Sequence, residues 1–545
     1  MAPRAKKKVM TTKRVAKTLW MGATLAAIAL ACGRPVTAQA QIVSVTGGRV
    51  EGVTVDGVTS FKGIPFAAPP IGQLRWRARQ PVRAWSGIRT ADHFAPMCMQ
   101  DPMWVPIYGS PPAISEDCLY LNVWTPARSD RERLPVMVWI YGGGLNNGMT
   151  SAPAYEGTHL AERGAVVVSV GYRVGALGFL ADSELSAESP HHVSGNYGLL
   201  DMIAALQWVK ANIAKFGGDP SRVTIFGESA GGFAVGLLAE SPLAKGLFQR
   251  GISESGGIFV SAGPSSSDLR AAEASGERFL RKLGASNIAT ARALAAETLV
   301  KAESRGGDGQ SSVAADGYVL PDDQDEYDLY RTDRFIDTPL LLGTNSDEGR
   351  LLAPPRASPA QFEAQIRAKF GSYADAILAL YPHATNAEAE QAERDLVRDS
   401  SLAQPTWAWA LLHSQQAPDK VYLYYFDRRS PQAPLGPTHT AEIGYVFGNL
   451  VSTVKGAPFA LSGPPGPADI ALSKLIQSYW VNFAKTGDPN GPGLPVWPAF
   501  SASSQQVMYL DAHPHAGPVP NLKKLKALDA YFAWLREEAK KKRAN

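Results

Sequence analysis

Runs of β-branched and aliphatic residues punctuate the chain, and stretches of helical periodicity separate them. Residues 136–141 (VMVWIY) lead straight into Gly142-Gly143-Gly144, and residues 165–172 (AVVVSVGY) form a second fully apolar run. Runs that are apolar throughout, rather than alternating, predict strands buried on both faces. Residues 196–216 carry apolar side chains at 199, 203, 206, 209 and 213, which predicts a helix. A strand follows at 222–227 and a helix at 230–239, with further buried strands at 250–253, 339–343 and 421–426. Strands of this kind separated by helices predict one large α/β domain, a mostly parallel sheet covered on both faces. No repeat of 20–50 residues is present, which excludes a solenoid or propeller. Residues 271–304, rich in Ala, Glu and Arg, are expected as surface helices, and 522–540 as a last helix with Lys540–Arg543 near its C-terminal end. Gly- and Pro-rich stretches at 102–113, 430–437 and 462–468 are expected as ordered loops at the rim of the sheet.

Composition changes this picture only at the N-terminus. With 45% hydrophobic and 19% charged residues, the 545-residue chain is globular in character. Its formal charge is +4, but the first forty residues hold eight basic side chains and no acidic one. The remainder carries 46 basic and 50 acidic residues, a net charge of −4. That is no footprint for nucleic acid, which needs clustered basic surface. Basic residues from Arg4 to Lys17, an apolar run over 21–32 and small residues up to Ala40 have the layout of a secretory signal. The apolar run would reach only roughly 18 Å as a helix, too short to span a bilayer. Cleavage is expected after Ala40, leaving residues 41–545 as a single catalytic domain; lipidation at Cys32 is the alternative. Removal of the leader leaves two cysteines, Cys98 and Cys118, read as one disulfide in an oxidising compartment. With three cysteines in all, a zinc cluster of four thiolates is excluded.

The candidate chemistry begins at Gly227-Glu228-Ser229-Ala230-Gly231. This G-x-S-x-G pentapeptide lies between a predicted strand and a predicted helix. Such a junction forces a strained turn that exposes the serine oxygen beside a helix N-terminus. A serine hydroxyl needs a base, and the base needs an orienting acid. In the order Ser…acid…His, Glu348 follows the strand at 339–343 and His439 follows the strand at 421–426. Acyl transfer also needs backbone N–H donors for an oxyanion. Gly142-Gly143-Gly144 offers such groups unobstructed, and Ala230 offers another.

The chain resembles the type-B carboxylesterases, the family that includes the cholinesterases. The matching text is FKGIPFAAPP at 61–70, EDCLYLNVW at 116–124, WIYGGG at 139–144, the pentapeptide at 227–231 and FAKTGDPNG at 483–491, with further matches at 196–201, 344–349 and 439–447. The resemblance covers roughly 42–540. It implies an α/β-hydrolase fold, a triad of Ser229, Glu348 and His439, an oxyanion hole of Gly143, Gly144 and Ala230, and a Cys98–Cys118 disulfide. It also implies supporting roles for Glu228 and Ser255, and buried ion pairs Arg75–Glu116 and Arg173–Asp201. Leu145 stands where the family usually has Phe, so the cleft wall is expected to differ. Trp104 resembles the aromatic that stacks on quaternary ammonium groups in cholinesterases.

The expected activity is hydrolysis of a carboxylic ester through an acyl-enzyme, without metal or organic cofactor. The partner is a small-molecule ester, with no nucleic acid and no stable membrane span. The alternatives are an inactive adhesion or binding module on the same fold, and an esterase specialised for a toxin, polyester or aryl ester.

Overall fold

The computed structural model describes residues 39–544 except 103–108, 110–112, 260–266, 305–312, 323–325, 355–357, 418–419, 431–433, 452–460 and 462. The leader through residue 38 and Trp104 therefore lie outside the described residues. Twelve strands are ordered into one sheet: β1 (Gln39–Val45), β2 (Gly48–Val55), β3 (Val58–Pro65), β4 (Tyr120–Thr125), β5 (Leu134–Ile140), β6 (Val166–Val170), β7 (Gly218–Glu228), β8 (Arg250–Glu254), β9 (Leu340–Asn345), β10 (Val421–Phe426), β11 (Gln506–Leu510) and β12 (His515–Pro518). Their order is β1-β2-β3-β4-β6-β5-β7-β8-β9-β10-β11-β12, with Ile88–Thr90 paired beside β2. Neighbours from β6 to β11 are parallel, and the flanking pairs are antiparallel.

The parallel centre follows from its residues. β6 (VVVSV) is buried at every position, as a strand covered on both faces must be. On one face Trp139 of β5 packs against Phe226 of β7 at 4.9 Å between rings and against Phe447 at 5.1 Å. The helix expected over 196–216 is α1 (Tyr197–Asn212), and the predicted stripe of 199, 203, 206, 209 and 213 is buried. Met202, Ala205 and Trp208 on its other faces are buried too, so α1 is an internal helix rather than an amphipathic one. Its last turn, Ile213–Phe216, tightens to a 3₁₀ helix and stops at Gly217, whose φ of 78° an L side chain rarely adopts.

After β7 comes α2 (Ala230–Glu240), and before β10 lie α3 (Asn386–Arg398) and α4 (Gln404–Gln416). The surface helices expected over 271–304 are Leu269–Lys282, Ile288–Ala293 and Ala296–Ser304. The last helix runs from Leu522 to Ala544, four residues beyond the expected end, and takes the basic run into its final turns.

Two ion pairs and a disulfide tie loops to this frame. Arg173 and Asp201 meet through two hydrogen bonds of 2.7 and 2.8 Å and are 4% and 0% exposed. Arg75 and Glu116 form a second two-pronged pair at 2.7 and 2.6 Å. Cys98 and Cys118 are joined, with their Cα atoms 5.0 Å apart. Closing a loop of that length contributes roughly 3 kcal/mol by restricting the unfolded chain.

Candidate active site

Strands β5, β7, β8, β9 and β10 run in one direction, so their C-terminal ends at Ile140, Glu228, Glu254, Asn345 and Phe426 share one rim. Gly143 and Gly144 follow β5, Ser229 and Ala230 follow β7, Ser255 follows β8 and Glu348 follows β9 at that rim, whereas Cys98 belongs to a separate two-stranded sheet.

Ser229 is the single residue between β7 and α2, with φ 55° and ψ −124°, a conformation rare outside glycine. Its N–H donates to the carbonyl of Glu254 at 2.8 Å, and its own carbonyl accepts from Phe233 at 2.8 Å. The flanking glycines are sterically required. A Cβ on Gly231 would sit 2.0 Å from the carbonyl oxygen of Ile140, and one on Gly227 2.5 Å from the carbonyl carbon of Gly231. The Ser229 side chain makes no capping bond to α2. A serine kept only as a helix cap would make one.

The triple-glycine turn packs directly on this junction, since a Cβ on Gly142 would lie 3.1 Å from Cβ of Ser229. Gly143 and Gly144 both have positive φ, 106° and 64°, and the Gly143 carbonyl accepts the amides of Asn146 and Asn147. Leu145 also has positive φ (61°), is buried, and accepts the Gly175 N–H at 2.8 Å.

Glu348 is completely buried, just past β9. Its Oε1 accepts the Asn345 N–H at 2.7 Å and the Ser255 hydroxyl at 2.6 Å. Its Oε2 lies 2.6 Å from Nδ1 of His439. A carboxylate only accepts, so Nδ1 carries the proton and Nε2 faces inward. The two loops are stitched together: Asn345 Nδ2 donates to the Thr438 carbonyl at 2.8 Å, Asp347 N–H to Pro437 at 3.0 Å, and Arg350 Nη2 to Gly436 at 3.0 Å. Nε2 of His439 lies 3.2 Å from Oε1 of Glu228, the chain neighbour of Ser229. Among the described residues the Ser229 hydroxyl makes no hydrogen bond. Such contacts are often long without substrate and tighten once it binds. The geometry thus joins His439 to Glu348 at 2.6 Å and brings it to 3.2 Å from Glu228, the residue that precedes Ser229.

The chain matches the carboxylesterase family over residues 39–528. It belongs to that family.

The chain is 41% identical to a fumonisin B1 esterase of Sphingopyxis macrogoltabida, over 91% of this chain and 90% of that protein. It is 36% identical to a para-nitrobenzyl esterase of Bacillus subtilis, over 87% and 95%. Among solved structures, a PNB esterase superposes with a TM-score of 0.78 at 34% identity, covering 90% of this chain and 99% of that one. The fold is that of the α/β hydrolases, and this carboxylesterase is a carboxylic ester hydrolase.

Two acids of the site were not foreseen. Glu254 ends β8 opposite Glu228 in the register, with Oε1 accepting the Trp480 indole N–H at 2.7 Å. Glu442, three residues after His439, is bonded by the Asn345 side chain and lies 3.5 Å from the Ser255 hydroxyl. A signal was available in each case: Glu254 directly precedes Ser255, and Glu442 follows the histidine by three positions. Among the described residues no three His, Cys, Asp or Glu side chains gather into a metal site.

The carboxylesterase therefore clusters four buried glutamates at this rim, two of which, Glu228 and Glu348, contact the imidazole. Burial pushes Glu228 and Glu254 well above the ordinary carboxyl range. Burial, with the charge of Glu348, takes Glu442 up to about 7. For His439 burial favours the neutral form, but the carboxylates of Glu228 and Glu348 outweigh it and carry the imidazole up to about 10. The charges of Glu228 and Glu348 accordingly keep the imidazole protonated to a higher pH than an isolated imidazole would be. An anion beside imidazole favours the charged ring, so removing it lets the proton leave at lower pH. In Glu228→Gln the acidic limb of the kcat/KM profile is expected to move to lower pH by about one unit, the size of effect a single close charge gives. An unmoved or raised midpoint contradicts this electrostatic reading.

Proposed function

We propose that this carboxylesterase acts through Ser229 as nucleophile, His439 as general base and then acid, and Glu348 as the acid that orients the imidazole. Ser229 Oγ attacks the ester carbonyl while Nε2 of His439 takes its proton. The negative charge that develops on the carbonyl oxygen is met by the N–H groups of Gly143, Gly144 and Ala230. The imidazolium, held by Glu348, returns the proton to the departing alcohol oxygen. Water then attacks the acyl-enzyme with the same base, releasing the acid and restoring Ser229. The observation that supports this reading is Ser229 at a strained strand–helix junction, with no hydrogen bond to its hydroxyl among the described residues and its chain neighbour Glu228 3.2 Å from Nε2 of the His439 that Glu348 holds.

Three further residues take supporting roles in this reading. Ser255 holds one oxygen of Glu348, Glu228 biases the proton of the imidazole, and Leu145 shapes the cleft wall next to the glycine turn. The leader layout and the Cys98–Cys118 bond support export to a secreted or periplasmic location, with a mature chain starting at Gln41.

Product partitioning tests the acyl-enzyme. Phenyl, p-nitrophenyl and benzyl acetates hydrolysed in dilute methanol are expected to give one common ratio of methyl acetate to acetic acid, because all three pass through the same acetylated serine. A ratio that changes with the leaving group contradicts the mechanism. Para-nitrobenzyl esters and fumonisin B1, named for two relatives, belong in a wider substrate panel.

A further inference from the structure

The segment that carries Glu348 is gripped from outside the triad by α3, and the grip centres on Arg398. Between α3 and α4 the chain makes a π-helical turn, Asp399–Ala403. Pro405, in the first turn of α4, accounts for it. Its nitrogen has no proton to give the carbonyl four residues back, and its ring crowds that carbonyl, so the helix widens there. Widened turns of this kind recur at functional sites.

At the junction Arg398 and Asp399 are buried, 6% and 0% exposed. Nε of Arg398 donates to Asp399 Oδ1 at 2.8 Å, and Nη1 donates to the Ser346 carbonyl at 2.9 Å and to Asp395 Oδ1 at 3.1 Å. The Tyr381 hydroxyl holds the other oxygen of Asp399 at 2.9 Å. Ser346 lies two residues before Glu348. On the far side, a Cβ on Gly349 would stand 2.0 Å from the carbonyl oxygen of Arg394, so the chain there rests on the backbone of α3. The same helix thus grips the turn immediately before and immediately after the acid. Burial disfavours the charge on Arg398, but Asp399 outweighs it, and the guanidinium keeps its proton.

We propose that Arg398 is a positioning residue for ester hydrolysis: by holding the Ser346 carbonyl against α3 it fixes the turn that aims Glu348 at His439. The proposal rests on reading Glu348 as the triad acid. Arg398 touches neither the imidazole nor the hydroxyl, so its effect must pass through the Glu348–His439 bond. A looser carboxylate supports the imidazolium less, and the ring then loses its proton at lower pH.

Arg398→Lys keeps a cation beside Asp399 but cannot reach both Asp399 and the Ser346 carbonyl. For p-nitrophenyl acetate kcat is expected to fall about tenfold with KM unchanged within about twofold, since small misplacements of catalytic groups cost that much or more. The acidic limb of kcat/KM is expected to move to lower pH. Arg398→Met with Asp399→Asn removes both charges together, so that neither is stranded, and should show the same changes at least as strongly. Circular dichroism and Tm establish folding; if the double variant does not fold, Arg398→Lys decides. A folded variant with unchanged kcat and unchanged pH midpoint, or a change in KM alone, overturns the proposal. Glu348→Gln measured alongside separates the two readings. If it leaves kcat within tenfold of the parent, the triad assignment fails. If it abolishes kcat while the Arg398 variants are silent, only the role of Arg398 fails.

Discussion

Ser229→Ala is expected to lower kcat for p-nitrophenyl acetate by at least about 10⁴-fold, with Tm unchanged within a few degrees. The size follows from what is removed. Without the nucleophile the covalent route closes, and only binding and oxyanion stabilisation remain to help water attack directly. The fold should tolerate the change for a reason visible in the site. The Ser229 hydroxyl has no hydrogen-bond partner among the described residues and caps no amide of α2, so its loss strands nothing. The structural contacts of the residue are its N–H to Glu254 and its carbonyl to Phe233, and alanine keeps both. Alanine also meets the same φ of 55° at the same cost. Burst-free steady-state assays with fresh protein, alongside thermal melts, measure both quantities. Retention of more than a hundredth of the parent kcat would place the nucleophile elsewhere.

Glu348→Gln is expected to cost about 10³–10⁴-fold in kcat, the scale seen when the orienting acid of a triad becomes an amide. The hydrogen-bond pattern explains why an isosteric change should be so damaging. Oε1 of Glu348 accepts two donors, the Asn345 N–H and the Ser255 hydroxyl, so the amide oxygen of Gln would be held there. Its NH₂ must then face Nδ1 of His439 across the 2.6 Å contact. Nδ1 would become the acceptor and the ring proton would move to Nε2, the atom that has to take the proton of Ser229. The base would be present but in the wrong tautomer. Its basicity should fall as well, since a carboxylate that favours the imidazolium is gone. The acidic limb is therefore expected at lower pH, with a much lower plateau. A variant within tenfold of the parent at every pH would remove Glu348 from the mechanism.

Much of this site was legible in the residues because its parts are local. The strand–Ser229–helix junction, the glycines after a buried strand and the order Ser…Glu…His can each be read within a few positions of the chain. Burial on both faces wrote the central strands as unbroken apolar runs, which is why β5, β6, β9 and β10 stand close to where they were expected. What could not be read depends on contacts across the sheet. Glu254 looks like any strand-end acid until the register sets it opposite Glu228. Arg398 stands 52 positions from the carbonyl it holds, and its aim depends on a π turn that no periodicity signals. The end of the last helix was misplaced because a run of lysines reads equally as a capped terminus or as further helical turns, and the chain takes the second course to Ala544.

The most direct measurement is to treat the enzyme with a fluorophosphonate, which reacts only with an activated serine oxygen, and to locate the adduct by peptide mass spectrometry. One adduct per chain on Ser229, forming in step with loss of esterase activity and absent from His439→Ala, is the predicted result. Complete inactivation with Ser229 unmodified, or labelling at an unchanged rate without the imidazole, would contradict the account.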